Sequence, residues 1–153
     1  MSQLQSALIV DDDQGLANGL AMALGRAGFV VRTACNGLHG YFSYSNDPTD
    51  WVVTDVDMPE QNGIEMMRSI RTINPAVKTI YMTGAVEKYR AALTRESREF
   101  SAQVLPKPFR LNELIDQITE TDRNQPPKTS VALKVLHKCT ELPSDEPISV
   151  VKK

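Results

Sequence analysis

Six polar residues carry the chemistry that this sequence suggests. Asp11 and Asp12 close the apolar run Ala7-Leu8-Ile9-Val10, Asp55 closes Trp51-Val52-Val53-Thr54, and Asp57 follows two residues later. Thr83 ends the run Val77 to Met82, and Lys107 follows Gln103-Val104-Leu105-Pro106. Three carboxylates converging on one point repel one another. At an effective dielectric of ~20, two unit charges ~4 Å apart cost about 4 kcal/mol. Such a cluster needs raised pKa values or a bound cation. Hard carboxylate oxygens without His or Cys favour Mg²⁺ over Zn²⁺. A metal and a lysine can neutralise phosphoryl oxygens while a carboxylate attacks in line, and a threonine hydroxyl can donate to the same oxygens. The residues therefore point to Mg²⁺-dependent phosphorylation of an aspartate.

Those residues converge only if the runs are strands of one sheet. Short apolar runs rich in β-branched residues alternate with segments of helical period, which predicts an α/β fold with a buried parallel sheet. Strands are expected at Ala7–Val10, Phe29–Thr33, Trp51–Thr54, Val77–Met82 and Gln103–Leu105. Helices are expected from about Asp13 to Ala27, weakly from Asn36 to Tyr44, from Gly63 to Ile73, from Val86 to Phe100, and from Leu111 to Thr121. Asp13 reads as the cap of the first helix and Asn112 as a cap of the last, with Leu111, Leu114, Ile115 and Ile118 inward. Right-handed crossovers put all strand C-termini on one edge, where open α/β sheets carry their sites.

Bulk properties narrow the classes. The 153 residues suit one domain with an appendage. Residues 1–122 carry 11 Lys/Arg against 16 Asp/Glu, and residues 123–153 carry 6 against 3. An acidic body with a mildly basic tail is not a nucleic-acid footprint. Cys35 and Cys139 make no metal spacing, and His39 and His137 have no ligand companions. No leader or membrane-spanning stretch is evident, so a cytoplasmic location without membrane contact is expected. Asn124-Gln125-Pro126-Pro127, Pro143 and Pro147 mark 123–153 as a linker-like tail. Val131 to Cys139 could form a turn or two of helix.

Taken in order, Ile9-Val10-Asp11-Asp12, Asp55-Val56-Asp57-Met58-Pro59 with Gly63, Met82-Thr83-Gly84-Ala85 and Leu105-Pro106-Lys107-Pro108-Phe109 resemble the motifs of the receiver domain of two-component response regulators. The resemblance covers residues 7–121, inside a domain expected to span 1–122. It implies a flavodoxin-like, doubly wound sheet of order 2-1-3-4-5 with five flanking helices. It implies Asp55 as the acceptor of a phosphoryl group, Asp12 as direct Mg²⁺ ligand, and Asp11 as the acid acting on the metal through water. Asp57 would lend its backbone carbonyl, Thr83 its hydroxyl, and Lys107 its ammonium beside a cis Lys107-Pro108 bond. The donor would be a histidine kinase or a histidine phosphotransfer protein. Leu16 and Pro108 are candidate contacts for it, although Leu16 also fits a plain core position. The resemblance describes a switch rather than a turnover enzyme.

Departures matter. Val104 stands where the family usually has Tyr or Phe, which puts the usual aromatic report of phosphorylation in doubt. Phe100-Ser101-Ala102 replaces the common Gly-Ala, and the span from Thr83 to Lys107 is slightly long, so the surface of the fourth helix is expected to be reshaped. Arg90, Arg95 and Arg98 read as a solvated face or a partner site. Met66 and Met67 read as core filling. The 31-residue tail is too short for a DNA-binding output domain, so output is expected by protein contact or onward phosphotransfer. A downstream target is not named by the sequence. Asp55-Val56-Asp57 also matches the DxD of haloacid-dehalogenase-type phosphatases, an alternative that lacks the further acidic pair after the lysine.

Overall fold

A computed structural model describes residues 3–124. The chain divides into two compact units, Met1–Ile115 and Asp116–Lys153. Of the second, the described residues are the last turns of a helix and Asn124. The expected tail, including Val131 to Cys139, lies outside the described residues apart from its first two.

Strands and helices alternate: β1 Ser6–Val10, α1 Gln14–Arg26, β2 Val30–Ala34, α2 Gly37–Asn46, β3 Trp51–Asp55, α3 Gly63–Ile73, β4 Lys78–Thr83, α4 Val86–Phe100, β5 Gln103–Pro106 and α5 Leu111–Arg123. All strand pairs are parallel, in the order β2-β1-β3-β4-β5. This is the flavodoxin-like order that the sequence resemblance implied. Central β3 is buried along its whole length, as a strand covered on both faces must be.

Side chains of a strand alternate between faces, so one sheet builds two cores. Leu8 and Val10 of β1, Val52 of β3 and Tyr81 of β4 join Tyr44 of α2, Met66, Met67 and Ile70 of α3, and Leu93 of α4 in one cluster. Met66 and Met67 are core residues, as expected. The alternate positions Ala7 and Ile9 are fully buried too, as are Ala17, Leu20 and Leu24 of α1, which packs on β1 and β2.

Several expected boundaries move. β2 and β4 each start one residue later than expected, and α2 runs on to Asn46. The helical pattern of α2 looks weak because its buried face is Gly37, Gly40 and Tyr44. A Cβ on Gly40 would lie 2.5 Å from Met66 Sδ and 2.9 Å from Val10 Cγ2, so only glycine lets α2 settle this close to the sheet. Asn112 does not cap α5. The helix starts at Leu111, which leaves Asn112 inside its first turn, and the Glu113 carboxylate accepts from the Arg110 N–H at 3.2 Å instead. Leu114 is buried, but Leu111 is 42% exposed, contrary to expectation.

Candidate functional site

The C-terminal ends of β1, β3, β4 and β5 meet at one sheet edge. Register alone does most of this. Val10 pairs Thr54, Asp55 pairs Met82, and Thr83 pairs Pro106, so each following polar residue arrives at the same height. The loops then lock the ends together. Val56 N–H donates to Met82 O at 3.0 Å, and Lys107 N–H donates to Thr83 O at 2.8 Å. Behind Asp55 the start of α3 must come very close. Gly63 N–H donates to Val56 O at 3.0 Å, and a Cβ on Gly63 would lie 2.2 Å from Asp55 O. Only glycine fits there.

Asp11 and Asp55 are buried, and Asp12 is exposed. Carboxylate oxygens of all three lie within 4.8 Å of one another. Lys107 Nζ sits between the two buried acids, 3.2 Å from Asp11 Oδ2 and 3.4 Å from Asp55 Oδ1. Asp11 Oδ1 accepts from Asp13 N–H at 2.9 Å, so both Asp11 oxygens already have donors. Asp12 is the freer carboxylate. Asp11 is thus the more engaged of the pair, and Asp12 the one open to solvent. Oxygen donors alone, with one exposed acid, suit a hard cation such as Mg²⁺.

Electrostatics follow the geometry. Burial pushes the Asp55 pKa up to about 6; repulsion from Asp11 adds to the rise, and Lys107 and the Asp57 N–H oppose it. Burial also raises Asp11, against the Asp13 N–H and Lys107. For Lys107, burial alone would lower the pKa, but the Asp55 and Asp11 carboxylates outweigh it and the net shift is upward. The site thus holds excess negative charge that one lysine does not cancel.

Thr83 is fully buried, and its Oγ1 accepts from Ala85 N–H at 2.9 Å, at the threshold of α4. The Lys107-Pro108 bond is cis, as the resemblance implied. Pro108 is exposed and Leu16 half-buried, so both sit where a partner can touch them. Asp13 caps α1, its carboxylate accepting from Leu16 N–H at 3.1 Å. Arg90 pairs with Glu87, and Arg95 with Glu99, on the exposed face of α4.

Two features had no expectation from the sequence. The Asp57 carboxylate turns to α4, where Tyr89 Oη donates to it at 3.1 Å. Below α4, buried Glu96 pairs with Arg71 of α3 and accepts from Tyr81 Oη at 2.6 Å. Burial, with the Glu96 contact adding to it, pushes the Tyr81 pKa strongly upward. Nothing in residue spacing marked Glu96 among the acids of a charged helix. A hydrophilic residue on the inner face of α4 was the only available signal.

Residues 7–119 match the family described as the response regulator receiver domain. The response regulator receiver protein CpdR of Brucella abortus is 34% identical over 116 residues, covering 75% of this chain and 94% of that protein. NtrC, a DNA-binding transcriptional regulator of Azospirillum brasilense, is 33% identical over 121 residues, but the chain spans only 25% of its length. Among solved structures, the response regulator TrrA of Thermotoga maritima, in complex with Mg²⁺-BeF, superposes with a TM-score of 0.66 at 27% identity; the match covers 76% of this chain and 98% of that one. Nothing here supports the phosphatase alternative. Among the described residues, no helix is long and apolar enough to cross a membrane. With the family match over most of its length and a near full-length relative above 30% identity, the chain belongs to the receiver domains of two-component response regulators.

Proposed function

We propose that Asp55 accepts the phosphoryl group from a phosphohistidine, and that the change is read by a protein partner or passed on to another histidine protein. The observation that carries this reading is Lys107 Nζ bridging Asp11 and Asp55 beside the exposed Asp12. An Asp55 oxygen attacks phosphorus in line. The P–N bond to the imidazole breaks as the P–O bond forms, and the imidazole leaves with a proton from solvent. Lys107 holds the transferred oxygens. The Thr83 hydroxyl leaves Ala85 N–H and donates to one of them. Asp12, Asp55 and the Asp57 carbonyl would hold Mg²⁺, with Asp11 orienting it through water; bound there, the ion supplies charge neutralisation at the phosphoryl group. The acyl phosphate then shifts a pre-existing inactive–active equilibrium.

The donor is a histidine kinase or a histidine phosphotransfer protein, docking at the edge that holds Leu16 and Pro108. A relative, the sensor kinase CckA of Brucella abortus, is 30% identical over 122 residues that make up 13% of its length, and this likeness to part of a kinase supports that class of partner. The test is intact mass after incubation with acetyl phosphate and Mg²⁺. A single added phosphoryl group that is absent in Asp55→Asn supports the reading. An unchanged mass with Mg²⁺ present, or equal labelling of Asp55→Asn, sinks it.

A further inference from the structure

Helix α4 is fastened differently at its two ends. Its C-terminal half is fixed from inside the domain. Leu93 is buried in the core, and Glu96 is held by Arg71 and by the Tyr81 hydroxyl. The Arg71 guanidinium stacks 3.9 Å over the Phe100 ring, and Ser97 Oγ donates to Ala102 O at 2.7 Å. A buried, hydrogen-bonded ion pair of this kind is costly to open.

The N-terminal half is held more lightly. No side chain caps α4 at Ala85, and Glu87 and Lys88 are exposed. Among the described residues, two hydrogen bonds hold this half at the phosphorylation site, beside the exposed Lys88 ammonium, which the Asp57 charge attracts. Ala85 N–H donates to Thr83 Oγ1 at 2.9 Å, and Tyr89 Oη donates to Asp57 Oδ1 at 3.1 Å. Asp57 lies two residues after Asp55, and its N–H reaches back to the Asp55 carboxylate.

The aromatic position expected on β5 is Val104, whose register partner on β4 is Tyr81. Tyr81 is fully buried with its hydroxyl committed to Glu96. It is anchored there by burial and by that hydrogen bond. Tyr89 is half-buried, and its ring packs against the core while its hydroxyl faces the site.

We propose that Tyr89 couples the state of Asp55 to the first two turns of α4, which loosen about a fixed point at Leu93 and Glu96 when Asp55 is phosphorylated. The inference rests on phosphorylation at Asp55. New charge on Asp55 displaces the Asp57 segment that carries the acceptor of Tyr89. The same charge draws the Thr83 hydroxyl away from Ala85. Both tethers of the N-terminal half weaken together, and the buried anchor keeps the C-terminal half in place. Tyr89 is a positioning residue here, since it touches Asp57 and none of the reacting atoms.

The test uses the full chain with Mg²⁺ and beryllium fluoride, as wild type and Tyr89→Phe, which keeps the packed ring. The ¹⁹F signal of bound fluoride reports loading of Asp55, with Asp55→Asn as the blank. Hydrogen exchange of the amides from Tyr89 to Ala92 reports α4. Loading is expected in both proteins. In wild type it speeds exchange from Tyr89 to Ala92 about threefold, the scale of one modest hydrogen bond, and leaves residues 93–100 unchanged. Unloaded Tyr89→Phe already exchanges at about that faster rate, and loading adds little. The ¹³Cζ resonance of Tyr89 shifts on loading, as its hydroxyl loses Asp57. A wild-type-sized response in Tyr89→Phe, a uniform response along α4, or an unmoved Tyr89 resonance overturns the coupling and leaves the acceptor role standing. Absence of the ¹⁹F signal in wild type overturns the acceptor role and the coupling with it.

Discussion

Replacing the acceptor is expected to stabilise the metal-free protein, and to do so only at high pH. In the fold the Asp55 pKa stands at about 6, against an ordinary 3.8, chiefly because the carboxyl is buried. The folded protein therefore binds that proton more tightly than the unfolded chain. Stability from the bound proton is present below pH 3.8 and is lost as the pH rises through about 6. A rise of roughly two units corresponds to about 3 kcal/mol at full effect. The side chain is 8% exposed, so solvent screens little of it. Asp55→Asn carries no charge and escapes the penalty. Urea unfolding in the presence of a chelator, followed by far-ultraviolet circular dichroism, should put Asn about 2–3 kcal/mol above wild type near pH 8. Near pH 4 the two should nearly coincide. Mg²⁺ should close most of the gap at high pH, because it stabilises the ionised cluster of wild type and finds one ligand fewer in the variant. Equal gains at both pH values, or no gain at high pH, would refute the argument that Asp55 stores electrostatic strain.

Other perturbations separate positioning from chemistry. Glu96→Ala leaves the Arg71 guanidinium buried without its counter-ion and should cost about 3–5 kcal/mol in denaturant unfolding, with much of the loss recovered in Arg71→Met/Glu96→Leu. Gly63→Ala forces a methyl against Asp55 O and should cost at least about 2 kcal/mol while slowing labelling by acetyl phosphate. Ser101 sits in the left-handed region at φ 57°, as the C-cap of α4, so Ser101→Gly should raise stability by about 1 kcal/mol. Leu16→Asp should slow transfer from a phosphohistidine partner and leave labelling by acetyl phosphate unchanged; equal slowing of both would place Leu16 in the core instead.

The strand ends were readable because both signals are local. An apolar β-branched run states a buried strand, and the polar residue after it states the edge. Asp11, Asp55, Thr83 and Lys107 follow from those two facts alone. α2 was read weakly because its buried face is made of glycines, which carry no hydropathy. α5 starts at Leu111 as expected, but its cap was misread, because Asn112 has a capping side chain yet sits one residue inside the helix, and Glu113 makes the bond instead.

The chemistry is thus a property of the sequence, since four motifs in order specify which carboxylates and which lysine meet once the strands are parallel. Their inequality is not. Register and loop contacts give Asp11 two donors, leave Asp12 to solvent, and bury Asp55 until its pKa reaches about 6. Long-range packing likewise decides what the helix surface means. Glu96 and Arg71 lie 25 residues apart and become a buried anchor only when α3 and α4 close over β4. Tyr89 and Asp57, 32 apart, meet only because α4 starts where β4 ends. Charge burial and hydrogen-bond geometry depend on neighbours distant in the chain, which is why one sequence shows the site and only the fold shows how it is wired.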